Sequence, residues 1–437
     1  MRFKTAALVM IFLFAQAARA ADPPVLSLQQ SIDIALKESA AIHSAAEGIS
    51  ASESRKKEAF TGFLPTFNTY YSYTKLNEPP QVKFAATGFA PVVTGTEDNY
   101  NWAVQARQPV FAGGSIYTNY QISKLGEEIA RYDKTATVQD VVLDVKASYF
   151  DILKAERLRE VARQSVEQLS SHANVARNFY EVGLIPKNDL LQSEVQLANG
   201  TQSLVRADNE LEMARARFNT VLRRDINMPV KVEDILAHHA FAPDINECLK
   251  TAMENRPEIK SYETRRDQSG KAVDLAKSEY LPTVNLVGTY GRFGDQASVS
   301  GSLYQDTESW SVVAVANWNF WEWGRTKHRV DAGKSRHSQS SDALSIVRDR
   351  VSLEVKNSYL QLREAEKRIT VAGQAITQAE ENFRINNERY KEQVATTTDV
   401  IDAQTLLTRA KSDYYNALSD FNIARSRLER SMGVMIR

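Results

Sequence analysis

One cysteine, Cys248, stands in 437 residues, so no disulfide can form within the chain and an oxidising compartment is compatible but staples nothing. Nowhere downstream of the first 20 residues is there an apolar run of 18, which excludes an ordinary transmembrane helix. A chain of this kind that is integral to a membrane has to cross it as β-strands, because lipid offers no partner for open backbone groups. A basic excess is missing too. The 54 Lys and Arg equal the 54 Asp and Glu, and no nucleic-acid partner is expected. Neither HExxH, GxSxG, a Walker loop nor a Cys pair occurs, so no enzymatic activity, cofactor or metal is expected. The adjacent His238 and His239 have no carboxylate or Cys at ligand spacing.

What is present begins with an export signal over residues 1–20. Arg2 and Lys4 precede an apolar stretch from Ala6 to Ala15, and Ala18-Arg19-Ala20 forms a cleavage site. The alternative, an N-terminal anchor, needs roughly 20 apolar residues. Cleavage removes three basic residues and no acidic one, leaving a net charge near −3.

The remainder is a tandem duplication. Displaced by 210 residues, Val145 meets Val355, Tyr149 meets Tyr359, Tyr180 meets Tyr390 and Asp189 meets Asp399, with no gap needed from Phe111 to Arg224. The first repeat covers 21–230 and the second 231–437. Within each, a helical period gives way to alternation. Phe67, Thr69, Tyr71 and Tyr73 share one face, as do Tyr100, Trp102, Val104 and Ala106, so strands are expected at about 65–76 and 99–111. Val284, Leu286, Gly288 and Tyr290, then Trp310, Val312, Ala314, Ala316, Trp318 and Phe320, place strands at about 282–293 and 308–320. Here the offset is 217 before the strands and 210 after them. About ten residues per strand suits a tilted membrane crossing, and Tyr100, Trp102, Trp310 and Trp318 suit its two interfaces. The edge of a soluble β-sandwich is the alternative for the strands taken alone.

Helical periodicity runs from about Tyr117 to Val182 and from about Lys327 to Glu392, each roughly 100 Å of rod. The descending arms Asp189–Leu222 and Asp399–Met432 are about half as long. The helices Ser27–Phe60 and Asp244–Tyr280 supply the missing length, so two short helices end to end can flank one long one.

This plan resembles the TolC family of outer-membrane channel proteins over essentially the whole exported chain. The marks are Leu64-Pro65 and Leu281-Pro282 before strands, Gln108-Pro109-Val110-Phe111 to Gly114, Trp321 to Gly324-Arg325, and the tip segments Val182-Gly183-Leu184 and Asp399-Val400-Ile401-Asp402. The resemblance implies an α+β membrane protein: a homotrimer with four strands per protomer in a twelve-stranded outer-membrane β-barrel, continued by a periplasmic α-helical barrel. It implies an exit duct of a Gram-negative bacterium for tripartite efflux or type I secretion. A periplasmic adaptor (membrane fusion) protein and an inner-membrane pump of the RND or ABC type would be its partners. Two hairpins per chain cannot close a barrel, so the residues themselves also call for oligomers. A periplasmic coiled-coil scaffold or adaptor without a pore and an open diffusion porin are the other readings.

The tips carry the candidate site. Asp399 and Asp402, three apart, share one face of the returning helix, and the resemblance implies that they ring a narrow periplasmic entrance. Asp399 is equally suited to cap that helix. Asp189 and Tyr390 match positions that hold such an entrance shut, against an N-cap and a core aromatic as their local readings. Val182, Gly183 and Leu184 match an adaptor-docking motif; Gly183 is otherwise a plain helix C-cap. The second tip has Glu392-Gln393-Val394 instead, and Ala395 stands where the family can carry a locking Arg, leaving Lys187 or Lys391 to serve.

Overall fold

The computed structural model describes residues 25–83, 88, 90–241 and 244–434; the expected export signal lies outside them. The first repeat runs β1 (Val25–Leu26), α1 (Leu28–Glu38), α2 (Ala40–Thr61), β2 (Thr66–Lys75), a loop ribbon of β3 (Gln81–Val82) and β4 (Val92–Val93), β5 (Asp98–Ala112), α3 (Ser115–Glu181) and α4 (Lys187–Val221). The second follows β6 (Lys231–Val232) with α5 (Ile245–Asn255), α6 (Pro257–Lys277), a 3-10 turn at Ser278–Tyr280, β7 (Thr283–Gly294), β8 (Glu308–Asn317), α7 (Arg325–Lys391) and α8 (Thr397–Ser431). The long helices α3 and α7 have 67 residues each, and α4 and α8 have 35 each.

The shorter flanking helices are each broken where the periodicity predicts continuity. Ser39 (φ −64°, ψ 118°) and Arg256 (φ −60°, ψ 119°) adopt the same extended conformation, 217 residues apart. Arg256 precedes Pro257, whose ring disfavours a helical residue before it. Ser39 has no such neighbour; its hydroxyl instead accepts the Ile42 amide and restarts the helix. One backbone kink is therefore reached by two different local chemistries.

Two apolar cores lie behind these kinks. In the first, Tyr149, Ile152, Leu153 and Phe218 are fully buried between α1, α3 and α4, and Val230 and Val232 from the linking segment complete it. Each such side chain contributes about 2 kcal/mol by leaving water. The Tyr149 hydroxyl donates to Leu26 O at 3.1 Å and Glu233 O at 2.8 Å, beside the parallel pair β1–β6. The second core places Val355, Leu362, Phe421 and Leu428 between α5, α7 and α8. Leu236 touches both, so the link between repeats is packed rather than loose.

The four long strands form one antiparallel sheet in the order β2-β5-β7-β8. Directly paired residues share a face. Phe67, Ala106, Gly288 and Val312 form one row, and Thr69, Val104, Tyr290 and Trp310 the next. Asn68, Gln105, Thr289 and Ser311 form a polar row on the opposite side. All four alternating patterns thus put their apolar residues on the same face. A bulge between Pro109 and Phe111 brings Phe111 beside Val284 on that face.

One boundary differs. β8 ends at Asn317, so Trp318 and Phe320 lie beyond it although the alternation runs on through them. Residues of β7 to pair with them run out at Thr283, the partner of Asn317.

Candidate functional site at the hairpin tips

The two tips are the same turn. At the first, Gly183 N–H donates to Tyr180 O (2.9 Å) and Leu184 N–H to Phe179 O (2.8 Å); at the second, Gln393 N–H donates to Tyr390 O (2.9 Å) and Val394 N–H to Arg389 O (2.8 Å). This paired 5→2 and 6→1 bonding is a Schellman C-cap, which needs a left-handed residue. Gly183 supplies it with φ 78° and Gln393 with φ 60°. Val182 and Leu184 are 70 % and 51 % exposed, and Val394 repeats Leu184 as an exposed apolar knob. The segments 182–184 and 392–394 therefore share a shape and differ in side-chain chemistry.

Beyond the second turn, Thr396 is the N-cap of α8, and Asp399 is not. Asp399 N–H donates to Thr396 Oγ1 (3.2 Å), and Thr396 N–H and Oγ1–H both donate to Asp399 Oδ2 (2.8 Å each). This reciprocal pair is a capping box with Asp for the usual Glu. The bonds from Thr396, with a smaller contribution from the Arg389 charge, hold the Asp399 carboxyl below the usual range. Asp402, about 60° further round the helix, is exposed. Asp189 likewise misses the N-cap, which is Pro186; it lies in the first turn of α4, half-buried.

Tyr390 is buried, as its core reading requires. Its ring lies 4.6 Å from that of His172 and 5.7 Å from that of Phe179, and its hydroxyl accepts from Thr397 at 3.3 Å. Burial pushes its phenol upward, opposed by Thr397 and reinforced by the charge of Asp189. His172 is buried with neither ring nitrogen hydrogen-bonded, and burial lowers its pKa to about 4. The hairpins are tied where Gln192 donates to Thr398 at 3.2 Å. Neither His172 nor Gln192 carries a motif, and their partners are about 200 residues distant in sequence. Of the cations near the second turn, Lys391 pairs with Glu388 (3.0 Å), while Arg389 donates to Val394 O (3.2 Å) and acts on Asp399. Above the tips, a groove of about 360 Å³ between α3, α4 and α8 is lined by Leu169, Gly200, Gln404 and Thr408, among others. Gln404 and Thr408 both donate to Ser165 Oγ (3.3 and 3.2 Å).

At the other end of the long helices stand the aromatics. Tyr100 stacks on Tyr73 (4.7 Å), and Trp102 meets Tyr290 edge-on (6.3 Å). Trp310 is 77 % exposed on the same sheet face. Trp318, past the strand end, donates its indole N–H to Tyr280 O at 3.1 Å and keeps an exposed ring. No helix among the described residues is long and apolar enough to cross a membrane.

Known proteins share this fold. The family profile described as outer membrane efflux protein matches residues 31–222 and 248–434. The outer membrane efflux protein BepC of Brucella suis is 19 % identical over 92 % of this chain and 84 % of its own. The CmeC outer-membrane channel of Campylobacter jejuni superposes with a TM-score of 0.79 at 15 % identity, covering 99 % of this chain and 93 % of its own. The outer membrane protein VceC of Vibrio cholerae also gives 0.79, at 14 % identity over 93 % and 96 %. On the span of the profile match, the chain belongs to the outer membrane efflux protein family.

Proposed function

We propose that this chain is a passive exit duct for efflux or secretion. Three copies close a twelve-stranded barrel in the outer membrane of a Gram-negative bacterium, and their long helices form a tunnel across the periplasm. The observation that carries the reading is the sheet: four strands whose alternating aromatic and apolar residues share one face, with the outer edges of the first and last unpaired among the described residues. A single sheet with open edges is not viable in lipid; closure by further copies is. The 67-residue helices α3 and α7 set this apart from an open porin, and the aromatic sheet face sets it apart from a soluble scaffold.

In this reading the tips are the gate. Asp402 and Asp399 give rings of carboxylates at the narrow end, Tyr390 and Asp189 belong to the packing that holds it shut, and Val182, Gly183 and Leu184 face a periplasmic adaptor. An inner-membrane pump supplies substrate and energy. The test is lipid contact of Trp310. In vesicles with brominated acyl chains its fluorescence is expected to be quenched; a chain that stays in the soluble periplasmic fraction, unquenched, contradicts the barrel.

A further inference from the structure

The two hairpins of the sheet are copies in register. β2 pairs with β5 from Thr66↔Arg107 to Lys75↔Asp98, and β7 with β8 from Thr283↔Asn317 to Arg292↔Glu308. Adding 217 to the first strand and 210 to the second converts one set into the other without remainder. β5 also pairs with β7, from Tyr100↔Gly294 to Ala112↔Thr283. The outer edges of β2 and β8 find no such neighbour among the described residues. Helices show the same imbalance. α6 packs between α3 and α7, whereas its counterpart α2 packs on α3. Ala59 is the buried residue of α2, while Ile259, Ser261, Thr264, Val273 and Ala276 are among those buried on α6.

The joints after the strands are copies with one exchange. After β5 the backbone turns through Gly113 (φ 60°) and Gly114 (φ 83°); after β8 it turns through Trp323 (φ 51°) and Gly324 (φ 78°). Gly113 lies hard against the connection into β7, where a Cβ would stand 2.5 Å from Ser278 O and 3.1 Å from Leu281 Cβ. Trp323 holds that left-handed conformation with a full side chain, which strains the backbone, and is 86 % exposed. A strained, exposed Trp at an open edge fits a contact that another molecule completes.

We propose that Trp323 is the wedge of a seam between two copies of this chain, seated against Thr61 to Leu64 of the partner subunit. The proposal rests on the duct reading, which supplies the oligomer. A second copy is the occupant because the chain already contains the complementary pair: β5 with β7 shows what β8 meets in β2 of its neighbour. Transferring that register by the two offsets pairs Ala314 with Tyr73 of the partner subunit, Val315 with Ser72 of the partner subunit, and Trp318 with Thr69 of the partner subunit. The transferred register also keeps the faces matched, apolar on apolar for the first pair and lumenal for the second. It continues β8 through residues 318–322, with Phe320 at the bulge that Val110 occupies in β5. That accounts for a strand whose alternation outlasts its pairing. At the joint, Ser278 and Leu281 become Thr61 and Leu64 of the partner subunit, and Trp323 replaces Gly113. The two connections of neighbouring copies are held apart by an indole where those of one chain touch. Tight and wedged joints then alternate around the ring. Lower down, Arg265–Asp133 (2.9 Å) and Gln268 to Ile122 O (2.9 Å) tie α6 to α3. The matching seam positions are Gly48, Ala343, Ala51 and Ala332, so neither of these two polar ties is repeated there.

The test uses the full chain with Cys248→Ser, purified in detergent from outer membranes. Ala314→Cys with Tyr73→Cys, and Val315→Cys with Ser72→Cys, are expected to give intermolecular disulfides. Val315→Cys with Tyr70→Cys or Thr74→Cys, one register step away, is not. Separately, Trp323→Ala is expected to raise the dissociated fraction about tenfold at fixed concentration. The cysteine pairs retain Trp323, so they report on the register even where Trp323→Ala fails to assemble. Cross-linking at the shifted register, or an oligomer as stable with Trp323→Ala as without it, overturns the seam and leaves the duct standing. A wild-type protein that is monomeric in the bilayer overturns both.

Discussion

Gln393 stands in the second tip where Gly183 stands in the first, holding the same left-handed backbone at φ 60° against 78°. The turn costs a side-chain-bearing residue about 1 kcal/mol and glycine almost nothing. Gln393→Gly is therefore expected to stabilise the second tip by up to about 1 kcal/mol, seen as slower amide exchange at Val394. Unchanged or faster exchange there contradicts the turn assignment.

Gly183 gives the converse experiment. A Cβ at this position would meet nothing within 4 Å, so Gly183→Gln disturbs the tip only through its backbone, as residue 393 already does. The fold is expected to survive while adaptor cross-linking and efflux fall. If both remain intact, Val182-Gly183-Leu184 is not the docking segment.

The two acidic residues of the second tip are expected to separate by mutation. Asp399 is committed to Thr396, so Asp399→Asn and Thr396→Ala should both loosen the start of α8, the latter by about 1 kcal/mol. The Asp399 carboxyl is held low in the fold, so its capping contribution is present above the unfolded carboxylate pKa and is lost as pH falls through the lower folded value. Exposed Asp402 should govern cation block instead. Equal loss of block from Asp399→Asn and Asp402→Asn contradicts this division.

His172 makes tip packing sensitive to acid. Its folded pKa, about 4, lies below the ordinary imidazole value of about 6.5, so the folded tip binds the proton less readily than the open one. Packing against Tyr390 is intact above about pH 6.5 and weakens as pH falls toward 4, by of order 3 kcal/mol per protomer in full. The ring facing His172 is Tyr390, which in turn meets Phe179 and feels the charge of Asp189. Tip amide exchange in wild type should accelerate over this range, and His172→Phe should abolish the acceleration.

Much of this architecture was legible in the residues. The long helices and the alternating faces of the four strands follow from period, which is local. Neither break in the flanking helices was expected from the period: Pro257 marks one, and the serine at its twin gives no comparable signal. Capping by Thr396 rather than Asp399 turned on a run of four residues, Thr396 to Asp399, that are all good caps. His172 against Tyr390, and Gln192 against Thr398, depend on how two hairpins meet, which no single segment encodes.

The central claim is a membrane pore closed at the tips, and single-channel conductance in a planar bilayer tests it most directly. Wild type is compared with the Asp399→Ala/Asp402→Ala double variant. The account predicts a small, divalent-blocked wild-type current that grows and loses its block in the variant. A large wild-type current unchanged by the substitutions would contradict the gate, and no current from correctly inserted oligomer in either protein would contradict the duct.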